Sequence, residues 1–250
     1  MDVSPLPVGY HRRTMTIDRN ALEPWFQPQH LDDDALASYR ASLASHPARM
    51  LVVHDLLVAE KAEHLARFLL DEADYETEYG LFSVEGGVSE SQYEGAAEDD
   101  RFFRLARLKG VPTEHQFSPN ALTYLQYRQA LQTDAFRGFF AAVSGLPLSA
   151  SDDFGVHSMR AGDFLRHHTD DNKDRRLALV LYLNPDWRPE YGGTLAVIDD
   201  AGTTHQVHAD FNSIVMFDVQ AQSVHEVLPV ESASEGTARV SIGGWYHRAR

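Results

Sequence analysis

Leu177-Ala178-Leu179-Val180-Leu181-Tyr182-Leu183-Asn184-Pro185 is the most continuous apolar run in the chain, and it closes on a turn-forming Asn-Pro pair. The run is far too short to cross a bilayer and has the length of one strand. Outward from it, hydrophobicity alternates with period two. Strands are predicted near 153–160, 163–169, 175–183, 193–198, 203–208, 212–217, 223–230 and 237–247. Gly192-Gly193, Asp199-Asp200-Ala201-Gly202 and Ser234-Glu235-Gly236 mark further turns between them. About eight short strands within ~95 residues predict a closed all-β unit such as a jelly roll.

Upstream the period changes. Ala35 to Leu43, behind Asp32-Asp33-Asp34, reads as a helix with an acidic first turn. Val58 to Leu70 places Leu65, Phe68 and Leu69 on one helical face, and helices are predicted over Ala121 to Leu131 and Ala135 to Val143. Ser144-Gly145-Leu146-Pro147 ends the last of these, and Met50 to Val53 reads as a strand. Residues 1–30, with Pro5, Pro7, Pro24 and Pro28, read as an extended arm. The expected organisation is an arm and helix over 1–48 and a main domain over 49–250. Within that domain, 49–147 gives helical support to a β core at 148–250, α+β overall.

The chain has 250 residues, with 22 Lys+Arg against 37 Asp+Glu, a formal charge of −15. Such a surface repels nucleic-acid phosphate and anionic membranes, and leaves room for a basic protein partner. Cysteine is absent, which excludes disulfides and Cys-based zinc sites and turns attention to the 13 histidines. The first residues carry no basic n-region or apolar h-region, so a soluble cytoplasmic protein is the expectation. Residues 71–100 hold eleven acidic residues and no Lys or Arg. They read as strand, loop and irregular segment, serving either as a solvated surface or as a rim for a basic substrate.

Within the β half, His168-Thr169-Asp170 sets an imidazole and a carboxylate at i and i+2, on one face of an extended chain. Alone, the pair more often means a surface His beside a solvated Asp. With His225 from a distant strand it makes two histidines and one carboxylate, the facial arrangement of non-haem iron sites. Fourteen residues on, Arg239 and Ser241 share one strand face, where a guanidinium and a hydroxyl can grip a carboxylate. Tyr182 can add its phenol. His167 is read as facing away, and His115, His157, His205, His208 and His247 as exposed or hydrogen-bonded. Arg166, Arg175 and Arg176 are read as solvated charge or as lining the mouth of the site. Trp187 and Trp245 are read as packing residues, and Asp171 and Asn172 as shaping the turn after the metal strand.

From Gly162 to His247 the chain resembles the catalytic core of the prolyl-4-hydroxylase-like branch of the 2-oxoglutarate/Fe(II) oxygenase superfamily. The resemblance lies in Gly162-Asp163-Phe164-Leu165, His168-Thr169-Asp170-Asp171-Asn172, Leu181-Tyr182-Leu183-Asn184 with Trp187, and Gly192-Gly193-Thr194-Leu195. It continues through Asn212 with Phe217, His225-Glu226-Val227, and Arg239-Val240-Ser241 with Trp245. It implies a double-stranded β-helix, Fe(II) on His168, Asp170 and His225, and 2-oxoglutarate on Arg239 with Tyr182 and Ser241. O₂ is the oxidant, and ascorbate a candidate reductant. The implied activity is hydroxylation of proline in a protein or peptide. Two rivals stand beside it: hydroxylation of a free amino acid or natural product, and a jelly-roll module that binds metal without turnover.

Overall fold

The computed structural model describes residues 16–170, 174–221 and 224–249. The expected roles of Asp171 and Asn172 lie outside them. The first half of the chain runs α1 (Arg19–Leu22), α2 (Asp33–Ser45), β1 (Met50–Val53), α3 (Ala59–Arg67), β2 (Asp74–Leu81), β3 (Val84–Val88) and α4 (Glu90–Gly95). β4 (Arg101–Gly110), α5 (Pro119–Ala130), α6 (Asp134–Ser144) and β5 (Leu148–Ser149) lead into the second half. There β6 (Phe154–Met159), β7 (Phe164–His168), β8 (Arg175–Tyr182), β9 (Leu195–Ile198) and β10 (Thr204–Val207) follow one another. β11 (Ser213–Asp218), β12 (Val224–Val227) and β13 (Arg239–Arg248) complete the sequence. The strands expected from the period-two pattern lie where the alternation puts them.

The strands hydrogen-bond in the order β1-β11-β8-β13-β6-β4-β7-β12-β9-β10, every pair antiparallel, wrapping into a nearly closed jelly-roll-like barrel. β8 explains why its run is apolar throughout: both of its faces are covered. Leu177, Leu179 and Leu181, followed by Leu183, face a helical layer that includes Phe26, Leu65, Phe68, Phe136, Phe139 and Phe140. Ala178 and Tyr182 face the barrel interior with Leu195, Val197, Val215 and Phe217. β13 divides the same way. Val240, Ile242 and Tyr246 pack outward against the helices, while Arg239, Ser241, Gly243 and Trp245 line the interior. The hydrophobic effect therefore glues the helices to one sheet and leaves the barrel interior free for polar side chains.

Two stretches differ from expectation. Residues 16–30, read as part of an extended arm, form α1 and a short turn at Pro28–His30. Leu22 and Phe26 are fully buried, and the Phe26 ring lies 4.8 Å from Phe136 and 4.5 Å from Phe139. Burial of these side chains outweighs the prolines, and Pro28 occupies a first-turn position where it costs nothing. The acidic stretch 71–100 is a β2–β3 hairpin followed by α4 and a short turn, rather than irregular chain. Ser89 and Gln92 make a capping box at α4, Arg101 donates to the Glu94 carbonyl (3.0 Å), and Arg166 donates to the Glu98 carbonyl (3.2 Å).

β4 was not anticipated. Its arginines at 101, 104 and 107 recur every third residue and obscure the period of two. It bridges β6 and β7, pairing Arg107 with His157 and Phe103 with Leu165. Among the described residues no helix is long and apolar enough to cross a membrane.

The hinge between the helical layer and the barrel is Asn212. Its backbone is left-handed (φ 56°) and its side chain mimics a backbone partner for Leu57, accepting from the amide (2.9 Å) and donating to the carbonyl (2.8 Å). Asn212→Ala should cost about 2–3 kcal/mol, because both groups of Leu57 lose their partner while buried. Asn212→Gly relieves only the backbone strain and should recover a minor share. Denaturant unfolding of the three proteins measures this.

Candidate metal centre and adjoining cavity

β7 and β12 pair so that His168 stands directly opposite His225, ring centroids 4.1 Å apart. Asp170, two residues past His168, turns its carboxylate between them. Its oxygens lie 3.8 Å from His168 Nε2 and 3.4 Å from His225 Nε2. The ligand atoms of the three residues all fall within 4.8 Å of one another, the single such cluster among the described residues. His168 Nδ1 lies 2.9 Å from the Arg166 carbonyl oxygen. Donation of Nδ1–H to that oxygen leaves the Nε2 lone pair pointing at the cluster. Burial, then the neighbouring His225, lowers the His168 pKa to about 4, so the ring is neutral at physiological pH and fit to ligate. Burial alone would raise the Asp170 carboxyl. Hydrogen bonding and charge from His225, together with His168 and Trp245, hold it below its usual value, as an anion. Two imidazoles and one carboxylate on one side of an ion fit Fe(II).

Trp245, expected only to pack, touches this cluster. Its indole N–H donates to Asp170 Oδ2 (2.9 Å). Arg175 lies flat on the indole, 3.4 Å from the ring centroid, with Nε on Asp153 (2.8 Å) and Nη1 3.7 Å from Asp170 Oδ1. A stacked guanidinium thus fixes the ring that fixes the carboxylate. The sequence held one signal for this: Trp245 shares strand parity with Arg239 and Ser241.

A cavity of about 280 Å³ opens beside the cluster, lined by both histidines, Asp170, Tyr182, Arg239 and Ser241 among others. Arg239 is 2% exposed and forms no ion pair with a carboxylate of the described residues. Its Nη1 contacts Met159 Sδ (3.5 Å), its guanidinium lies 4.9 Å from the Tyr182 ring centre, and its Nε has no hydrogen-bond partner. The buried Tyr182 hydroxyl also lacks a well-formed partner. Burial lowers the Arg239 pKa and raises that of Tyr182, and each partly offsets the other. A buried cation without a counter-ion costs several kcal/mol, and an anionic ligand at this spot supplies what is missing. A dicarboxylate that reaches from the metal cluster to Arg239 fits the observed donors. Gly193, at φ 63°, makes room for the arginine: a Cβ there would come within 2.8 Å of Arg239 Cδ. Ser241 pairs across the strands with Tyr182, so all three expected carboxylate-binding residues face one space.

The other histidines and arginines divide. His167 points outward to Glu226 (3.3 Å), and His205 is bound to Asp199 (2.9 Å). Arg176 pairs with Asp218 (3.0 Å), away from the cavity, whereas Arg175 lines it. His157, expected to be bland, opens into the cavity.

Trp245→Phe keeps the packing and removes the donor to Asp170. Mn(II) affinity should fall by about tenfold, as for outer partners of metal ligands generally, with the thermal midpoint nearly unchanged. Equal Mn(II) affinity in a titration would show that the indole does not support the carboxylate.

Residues 154–247 match the family described as the 2OG-Fe(II) oxygenase superfamily. The prolyl 3-hydroxylase of Mus musculus is 33% identical over 123 residues, 47% of this chain and 22% of the mouse protein. The chain thus matches less than a quarter of that relative's length. A Pseudomonas putida prolyl-4-hydroxylase structure is similar with a TM-score of 0.53 and 24% identity, covering 86% of this chain and 100% of the other. A prolyl hydroxylase from Trichoplax adhaerens, in complex with a hypoxia inducible factor peptide fragment, reaches 0.55 at 14% identity, covering 86% and 90%. Residues 154–247 are therefore similar to the 2OG-Fe(II) oxygenase superfamily, within a fold like that of the prolyl 4-hydroxylase structure.

Proposed function

We propose that this protein is an Fe(II)- and 2-oxoglutarate-dependent hydroxylase acting on a prolyl residue in a protein or peptide. One observation carries the reading: a His–His–carboxylate cluster shares a cavity with a buried guanidinium that has no counter-ion among the described residues. In this reading His168, Asp170 and His225 hold the iron, and Arg239 with Tyr182 and Ser241 grips the far carboxylate of 2-oxoglutarate. When bound, iron with O₂ and 2-oxoglutarate places one oxygen atom in succinate, with release of CO₂, and the other in a C–H bond of the acceptor.

The protein's own residues bind, orient and exclude water. Arg239 supplies the charge and Tyr182 a hydroxyl proton for a carboxylate oxygen, which sets the keto acid's direction in the cavity. Trp245 donates to Asp170, and Arg175, stacked on the indole, helps keep that carboxylate facing the histidines. Phe102, Phe103, Leu165 and Trp245 give the cavity an apolar lining that suits a pyrrolidine ring and keeps bulk water out. The choice of proline follows the names of the similar proteins. A peptide acceptor is further supported by an adjoining groove along the β2–β3 hairpin, where Phe82 and Val84 are exposed beside Glu78 and Glu85. Glu78 is paired with Arg107 (2.7 Å), so Glu85 is the carboxylate that favours a basic flank on the peptide.

Incubation with iron, ascorbate, 2-oxoglutarate and a pool of proline-containing peptides should yield succinate and a mass gain of one oxygen on proline. His168→Ala or Asp170→Ala should abolish 2-oxoglutarate turnover with the fold retained. Arg239→Ala should chiefly raise the 2-oxoglutarate requirement, by the equivalent of about 2–5 kcal/mol for a buried charge-assisted clamp. Oxygen gain on free amino acids but not on peptides would move the acceptor to a small molecule. No succinate under any condition would leave a metal-binding module without turnover.

A further inference from the structure

Four polar side chains stand side by side across four strands of the cavity wall. Arg107 on β4 pairs with His157 on β6, His157 with Ser241 on β13, and Ser241 with Tyr182 on β8. All four line the cavity that holds Arg239. Directly paired antiparallel residues have Cβ atoms about 4.5–5.5 Å apart, so the row forms one polar strip. Tyr182 and Ser241 already have places in the proposed clamp. His157 has none, and its ring is hydrogen-bonded to no described residue.

His157 is suited to a carboxylate. Burial, then the charges of Arg107 and Arg239, lowers its pKa to about 4, so it offers an N–H donor without adding a further positive charge. Arg107 is occupied at its outer end by Glu78 (2.7 Å), which leaves Arg239 as the cation of the inner cavity beside the strip. Arg239 pairs across the strands with Met159, one inward position from His157. A carboxylate offers about four lone-pair sites. One contact each from Arg239, Tyr182 and Ser241 leaves a site open, and a buried ion pair is favourable only when the remaining sites are also satisfied.

We propose that His157 is a further co-substrate-binding residue, donating a hydrogen bond to the distal carboxylate of 2-oxoglutarate beside Arg239, Tyr182 and Ser241. The proposal rests on the oxygenase reading above. It assigns His157 to the end of the co-substrate remote from the metal, so its effect should follow that carboxylate alone.

Calorimetric titration of the Mn(II)-loaded full chain tests this with two keto acids, 2-oxoglutarate and 2-oxopentanoate, which lacks the distal carboxylate. His157→Ala should weaken 2-oxoglutarate binding about tenfold, the loss of one hydrogen bond to a charged group, and leave 2-oxopentanoate binding unchanged. His157→Gln, which keeps a donor, should recover most of the loss. If the alanine variant does not fold, His157→Leu carries the same comparison. Unchanged 2-oxoglutarate affinity in the alanine or leucine variant, or equal weakening of both keto acids, overturns the proposal. Absence of 2-oxoglutarate binding by the unaltered protein overturns the oxygenase reading itself, and is told apart from a failure at His157 alone.

Discussion

A guanidinium is held inside this barrel with no carboxylate of the described residues paired to it, and the walls of the cavity are organised around that charge. Arg239 begins β13, whose first interior bond is set by Asn184, its side-chain oxygen accepting from the Val240 amide at 2.5 Å. Asn184 ends the apolar run of β8, so the strand that carries Tyr182 also anchors the strand that carries the arginine. The bare backbone at Gly193 lets the arginine stem lie against the turn. An uncompensated charge at such depth destabilises the empty protein. The same charge gives a dianionic ligand a large differential affinity for the folded state, so binding and folding are linked.

The metal side of the cavity is built by the opposite rule. There every charge has company: Asp170 sits among two imidazoles, an indole N–H and the edge of Arg175. Arg175 is itself anchored by Asp153 and stacked on Trp245. One end of the cavity is thus preorganised by saturated contacts and the other by a deficit. A molecule with a chelating head and an anionic tail can enter in only one direction.

Much of this was legible in the chain. His168 and Asp170 at i and i+2, and Arg239 and Ser241 at the same spacing, depend only on strand parity, which a period-two pattern reports directly. The strands of the second half were readable because each buries at least one face. Trp245's role was not legible, since its contact with Asp170 arises from packing between strands far apart in sequence. His157's place was not legible for a related reason: it faces the cavity of Arg239 only because β6 pairs with β13, a contact far apart in sequence. The stretch around Phe26 misled because its prolines suggest extension, while its aromatic side chains find a pocket among Phe136, Phe139 and Phe140.

β4 has a meaning for how the molecule assembles. The stretch that matches the oxygenase family begins at residue 154, but β6 and β7 within it are joined through β4, which comes earlier in the chain. Left to itself, that stretch would expose two raw strand edges along one seam, an invitation to pair with other copies. Closure of the seam requires a contact of large sequence separation, across the intervening α5 and α6. Such long-range pairing is slow relative to local helix formation. The barrel is therefore sealed by a strand from outside the family-matched stretch, and chain synthesis from the N-terminus has that strand waiting before the edges it must cover exist.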